Sequence, residues 1–324
     1  MKQQTLAMAA DHNVYFEKFR KPTRRDKFLA TMDKLVPWAA LCSVIEPHDP
    51  KAGKGRPAIG LERMLRLYFV QHWFNLADEA CEDALLDSTA LRRFVGIDLG
   101  RERVPDATTL LKFRRRLEEH QLGQALFAKV GEVLQAGGLK VGAGTIVDAT
   151  IIAAPSSTKN ASGTRDPQMH QTRKGQQWYF GMKLHIGVDE DTGLTHSAVV
   201  TAANVHDKHP LPDLLHGQEQ EVYGDSAYAS QQTLIASKSP NARDMTDQRV
   251  RADGPGEEIA RMVNHAKSRV RSRGRSRVEH VFAVVKRLWG FNKVRYRGLA
   301  KNATRAFVAL GLANIFMARR FLNG

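Results

Sequence analysis

"TIVDATII", residues 145–152, is short, rich in β-branched residues and carries one carboxylate in its middle. Val, Ile and Thr suit a pleated, half-buried backbone, so the run predicts a strand. A carboxylate inside such a strand is costly to bury unless it is paired or coordinated, so Asp148 calls for a partner. Downstream, "EVYGD" at 221–225 predicts another strand, ending in a second carboxylate, Asp225. Between the two, Trp178–Val188 and Leu194–Ala202 read as strands joined by the turn signal "DEDTG" at 189–193. The polar residues 155–177 read as one long loop, and Pro210–Leu215 as a short helix. Helices are expected near 229–237, over 257–269 and over 278–288. The order strand, strands, helix, strand, helices is that of an α/β domain.

Upstream of residue 140 the pattern is helical. Apolar side chains between Ile59 and Trp73 recur every three or four positions. Asp78–Leu86 and Ser88–Val95 follow, with Ser88 as N-cap. Asp106 caps a helix running to about His120, and Leu122–Gln135 is a further helix ended by Gly137-Gly138. The chain therefore divides into an all-α region, 1–140, and an α/β region, 141–324.

The 324 residues include 49 Lys+Arg against 34 Asp+Glu, a formal charge of +15. That balance points to a polyanion, nucleic acid or an acidic membrane surface. Hydrophobic residues at 42% are too many for a disordered chain. Two cysteines, Cys42 and Cys81, exclude a disulfide scaffold and every cysteine-rich zinc site, and suit a reducing cytoplasm. The run Leu6–Ala10 is too short for a signal peptide. The longest apolar stretch, Ala306–Ala318, falls short of a membrane span and reads as a buried C-terminal helix. No membrane partner is expected.

Taken singly, Asp148, Asp225 and Glu279 each have an ordinary explanation: a solvated strand face, a strand-end turn, an i, i+4 pair with Arg275. Together they fit a hard-cation site, because Mg²⁺ takes oxygen ligands from separate elements. Two such ions activate an attacking oxygen and stabilise a leaving one at a phosphate. Between Arg261 and Arg305 there are 14 Lys or Arg and one carboxylate, Glu279. A solvated helix face mixes signs, so a single acid in that field favours a functional role. Arg275, Glu279 and Lys286 fall on one helical stripe, opposite Val278, Val281, Val285 and Leu288.

Several long motifs then stand in a specific order. They are "GTIVDATIIAAPSSTKN" at 144–160, "RDPQMHQTRKGQQWYFGMKLHIGVD" at 165–189, "VTAANVHD" at 200–207, "YGDSAY" at 223–228 and "RVEHVFAVVKRLWGF" at 277–291. With the helical stretches at 55–98 and 104–118, they make the chain resemble the DDE transposases of bacterial insertion sequences, most nearly the IS-five family. The resemblance implies an RNase H-like catalytic domain with a mixed sheet flanked by helices, preceded by the all-α region. It implies Asp148, Asp225 and Glu279 as the metal triad, holding Mg²⁺ or Mn²⁺, as two ions and with no nucleotide cofactor. A Tyr–Arg–Glu–Lys pattern of the wider group is matched by Arg275, Glu279 and Lys286, while its Tyr position holds Ser272.

The expected activity is cleavage of element ends and their joining to target DNA by phosphoryl transfer. A catalytically idle DNA-binding descendant and a simple metal-dependent nuclease are the alternatives. Double-stranded DNA, as terminal inverted repeats and target, is the expected partner, with contacts from Arg271, Arg273, Arg275, Arg277, Lys286, Lys183, Arg114 and Arg115. Helices at 55–120 either read the repeats or dimerise. Because two ends are held together, a dimer or larger assembly on DNA is expected. Ser156-Ser157-Thr158-Lys159 is a chance S-x-x-K in a polar loop, and Gly53-Lys54-Gly55 lacks P-loop spacing. His206-Asp207-Lys208-His209 reads as a helix start, not a transition-metal site.

Overall fold

The computed structural model describes residues 21–50, 59–139, 141–161, 163–247 and 276–322. Among the described residues seven α-helices come first: α1 (Arg24–Leu35), α2 (Trp38–Ile45), α3 (Leu61–Phe74), α4 (Asp78–Asp87), α5 (Thr89–Val95), α6 (Ala107–Glu119) and α7 (Leu122–Ala136). The expected caps are present. Ser88 Oγ accepts from the Leu91 amide and Asp106 Oδ1 from the Thr109 amide, satisfying amides the first turn leaves open.

The sheet follows: β1 (Gly144–Ala153), β2 (His170–Lys174), β3 (Gln177–Asp189), β4 (Thr195–Ala202), β5 (Glu221–Tyr223) and β6 (Arg243–Asp244). Its order is β2-β3-β1-β5-β6, with β4 also on β3. β1, β3 and β4 pair antiparallel, while β1, β5 and β6 run parallel. This is the mixed sheet of an RNase H-like domain. The loop expected over 155–177 is interrupted by β2, which pairs antiparallel with the start of β3. The β3–β4 turn closes on Asp189, whose Oδ2 accepts from the Thr192 amide and hydroxyl at 2.7 and 2.6 Å.

Helix α8 (Gln232–Lys238) and a 3-10 turn (Leu211–Leu214) cover one face of the sheet. There Val147 packs with Leu211, Leu214, Val222, Tyr228 and Ile235. The other face, with Ile146, Ile152, Leu184 and Ile186, is covered by α9 (276–288) and α10 (Leu299–Leu322). α9 is not the regular helix expected over 278–288, because Ala283–Leu288 is wound as a π-helix, its end marked by the Trp289 amide bonded to the Val284 carbonyl. The helix expected at 257–269 lies outside the described residues.

One hydrophobic core runs from Leu29 in α1 to Ala318 in α10, so the helical region and the sheet region are packed together across residue 140. α10 approaches α7 so closely that a Cβ on Gly123 would lie 2.8 Å from the Thr304 carbonyl. Asn314, which interrupts the apolar run of α10, is buried. Its amide bonds both backbone groups of Thr195, at 2.9 and 2.7 Å, which ties the helix to the start of β4. Among the described residues no single helix is long and apolar enough to cross a membrane.

Candidate active site

β1 and β5 lie side by side, with Gly144, Thr145 and Ile146 opposite Glu221, Val222 and Tyr223. Asp148 and Asp225 stand two residues beyond the last of these pairs, each on its own segment. Side chains in a strand alternate with period two, so an equal offset carries both acids to the same level. They line one recess, of about 20 Å³, together with Ile146, Val147, Tyr223, Gly224, Asp247 and Val278. The recess opens beyond the carboxyl end of β5, where parallel sheets gather their ligands.

Both acids are half-buried and oriented by local backbone. The Ala149 amide donates to Asp148 Oδ1 at 2.7 Å, and the Ala227 amide donates to Asp225 Oδ1 at 2.9 Å. Next to them, Tyr228 is buried, and among the described residues its hydroxyl has no hydrogen-bond partner. Burial first, then the charges of Asp207, Asp148 and Asp225, push its ionisation far above the usual range. Asp247, which the sequence reading did not single out, enters the recess because its amide continues the β5 ladder to the Gly224 carbonyl at 3.0 Å. No periodic pattern marks it in the sequence.

The third expected ligand is placed differently. Val278 forms a wall of the recess, and Glu279, the next residue of α9, is exposed and does not line it. Among the described residues no three His, Cys, Asp or Glu side chains converge closely enough to hold one ion between them. The charged groups in the recess are all carboxylates, an oxygen donor set suited to a hard divalent cation. Mg²⁺ is commonly held by one or two carboxylates, with water and substrate phosphate completing its shell, so the Asp148–Asp225 pair fits Mg²⁺ or Mn²⁺.

The expected DNA contacts separate into distinct groups. Arg114 is not on the surface. Its side chain is 4% exposed and its fork is bidentate to Asp78, at 2.7 and 2.9 Å. Lys183 is turned inward to the Val205 carbonyl and Asp207 Oδ1, both at 2.8 Å. The Asp207 carboxylate also lies 3.8 Å from the ring of buried His185. Lys286 donates to Thr150 Oγ1 and the Ile151 carbonyl, both at 2.9 Å, and burial followed by the charges of Lys174 and Arg287 lowers its pKa. The expected shared stripe of Glu279 and Lys286 is not observed: Glu279 faces solvent while Lys286 clasps β1. A π-turn, closing i to i+5, advances less per residue than an α-turn and rotates position 286 away from the α-helical stripe. Arg115 is exposed, and Arg277 donates to the Asp191 carbonyl. Arg271, Arg273 and Arg275 lie outside the described residues.

Lys286→Ala therefore removes two bonds that hold α9 on β1 and leaves two partly buried acceptors open. A loss of roughly 1–3 kcal/mol is expected. Thermal melting should fall and strand cleavage with it, while affinity for duplex DNA in Ca²⁺ stays near wild type. Weaker DNA binding at unchanged melting temperature would restore Lys286 to the phosphate contacts.

Residues 140–315 match the family model described as a transposase DDE domain, and residues 17–116 match one described as a transposase domain. No solved structure matches the chain. The first match covers more than half of the sequence and contains the β1–β5 recess and α9, and by it the chain belongs to the transposase DDE domain family.

Proposed function

We propose that the protein cleaves the ends of an insertion sequence and joins them to target DNA. The observation that carries this reading is the shared recess of Asp148 and Asp225, reached by the equal offset from the Ile146–Tyr223 pair. Asp148 and Asp225, with Glu279 from the adjoining helix, are the residues proposed to hold Mg²⁺ or Mn²⁺. Bound there, the ions supply charge for the attacking and leaving oxygens of a phosphodiester.

The chain's own part is positioning. β1 and the β5 loop fix the two carboxylates, the backbone amides of Ala149 and Ala227 orient them, and α9, whose Val278 walls the recess, carries Glu279 as its next residue. Water adds to phosphorus at the element end, the P–O3′ bond breaks, and the freed 3′-oxygen leaves as a hydroxyl. That hydroxyl attacks a target phosphodiester, forming one P–O bond as another breaks. One phosphodiester replaces another in the joining step, which is why no nucleotide cofactor is expected.

The test uses purified protein, labelled duplexes taken from the DNA flanking its gene, and Mg²⁺ or Mn²⁺. Nicks exposing 3′-hydroxyl ends, followed by strand-transfer products, are expected. Nicking that never yields joined strands selects a nuclease, and binding without any nick selects a catalytically idle DNA-binding protein. DNA affinity should fall steeply with salt, with a log–log slope of about −0.9 for each phosphate neutralised. A binding constant indifferent to salt contradicts the electrostatic part of the proposal.

A further inference from the structure

A second cleft, of about 410 Å³, lies where the start of α9 meets the β3–β4 turn and the last turns of α10. Arg277, His280, Arg319, Arg320 and Phe321 line it, with Thr192 and Gly193 from the turn, and among the described residues no carboxylate does. The acids of the neighbouring turn do not line the cleft: the Glu190 carboxylate lies against Gly144, where the charge of Arg277 still reaches it, and that of Asp191 lies against Gly142. Among the described residues none of the three arginines has a carboxylate partner within ion-pair distance.

Two of the guanidiniums are already oriented. Arg277 is tied to the Asp191 carbonyl, and Arg319 stacks 3.5 Å over the Phe316 ring while donating to the Phe316 carbonyl at 2.6 Å. A held planar fork loses little freedom when it takes up a phosphate. Three like charges crowd one cleft, and the C-terminal dipole of α10, about half a charge, offsets only part of them. At the rim Phe321 is 55% exposed, an apolar face of the kind that sugar and base edges cover. His280 follows Glu279 directly, so the cleft and the proposed third ligand share one turn of α9.

We infer that this cleft is a phosphodiester-binding site, which holds the DNA backbone as the strand passes along α9 from the catalytic recess. The inference rests on the transposase reading and adds Arg319, Arg320, His280 and Phe321 to the DNA interface.

The experiment measures binding of a short fluorescent duplex by the full chain in Ca²⁺, over a range of salt. It compares wild type, Arg319→Gln/Arg320→Gln, Phe321→Ala, and Lys129→Ala as a control on α7, outside the cleft and outside residues 55–120. Gln leaves an uncharged polar side chain, shorter than arginine and without its fork, so charge and bidentate reach are removed together. The double variant should bind at least about tenfold more weakly, and its log–log salt slope should be shallower by about two. Phe321→Ala should weaken binding with the slope unchanged, and Lys129→Ala should match wild type. Arg319→Lys/Arg320→Lys should recover most of the salt slope, which a loss through misfolding would not. A double Gln variant with wild-type affinity and slope overturns the site. If the wild type itself binds no duplex and cuts no element end, the transposase reading fails instead.

Discussion

Asp148→Asn and Asp225→Asn should each leave the protein folded and lower strand cleavage by at least about 10³-fold. Folding should survive because the Ala149 and Ala227 amides need only an oxygen acceptor, which Asn still offers at Oδ1. Each change also removes one of three like charges in the same recess, so melting in chelator should be unchanged or slightly higher. What is lost is the anionic ligand. Affinity for an element-end duplex in Ca²⁺ should be retained while Mg²⁺-dependent nicking disappears. A variant that nicks at more than a tenth of the wild-type rate would remove that residue from the site. Glu279→Gln belongs beside these two, with Asp247→Asn as its foil. Asp247 lines the recess and Glu279 does not. On the proposed triad Glu279→Gln is as silent as the aspartate variants and Asp247→Asn keeps measurable activity. The opposite pattern would make Asp247 the third ligand.

Arg114→Ala should cost stability and not DNA affinity. The guanidinium is enclosed, bidentate to Asp78 and lies 4.3 Å over the Tyr296 ring. Its removal strands the Asp78 carboxylate, which also accepts from Gln71 at 2.7 Å. Breaking a buried pair from one side costs about 3–5 kcal/mol, and the partial exposure of Asp78 brings the expectation to the lower end. For a chain of this size that is a fall in melting temperature of roughly 6–10 °C. Arg115→Ala, one residue along and exposed, should leave melting unchanged. Burial raises the Asp78 carboxyl pKa, but the bonds from Arg114 and Gln71 outweigh it, and the result lies below the usual carboxylate range. A group with a lowered folded pKa stabilises the fold above its unfolded pKa, about 3.9 for Asp. That contribution fades as pH falls through the lowered value. The stability gap between wild type and Arg114→Ala should therefore be widest near neutrality and narrow below about pH 4. An equal gap at all pH values would mean that lost packing, not the ion pair, sets the cost.

The burial of Arg114 is legible in the sequence. Leu110, Phe113, Arg114 and Leu117 are the buried positions of α6, an i, i+3, i+4, i+7 face. The periodicity alone places Arg114 inward. Taking it with Arg115 as a DNA contact sets that periodicity aside. β1, β3 and β4 were readable because β-branched runs are bounded by clear turn residues, as at 189–193. β2 was not readable, because an edge strand of sequence His-Gln-Thr-Arg-Lys, exposed at most positions, has no apolar alternation to reveal it. The Asp148–Asp225 pairing follows from strand register, which needs the β1–β5 partnership and is not written in either segment. The π-wound end of α9 has no local signature either, and it separates Glu279 from Lys286.

Asn75 ends α3 in a left-handed conformation, with φ of 51°. Its side chain donates to the Gly290 carbonyl at 3.3 Å and accepts from Arg295 and Arg305 at 2.9 and 2.8 Å. One residue of the helical region thereby latches the segment joining α9 to α10. α9 and the helices upstream are inherited as a single mechanical piece. Exchange of modules, which regrafts recognition onto chemistry in proteins built as beads on a string, would tear this latch and bare the face of α10 that rests on α7. New DNA specificity in such an architecture has to arise by substitution on the outer surface, one side chain at a time, while the joint beneath it stays fixed.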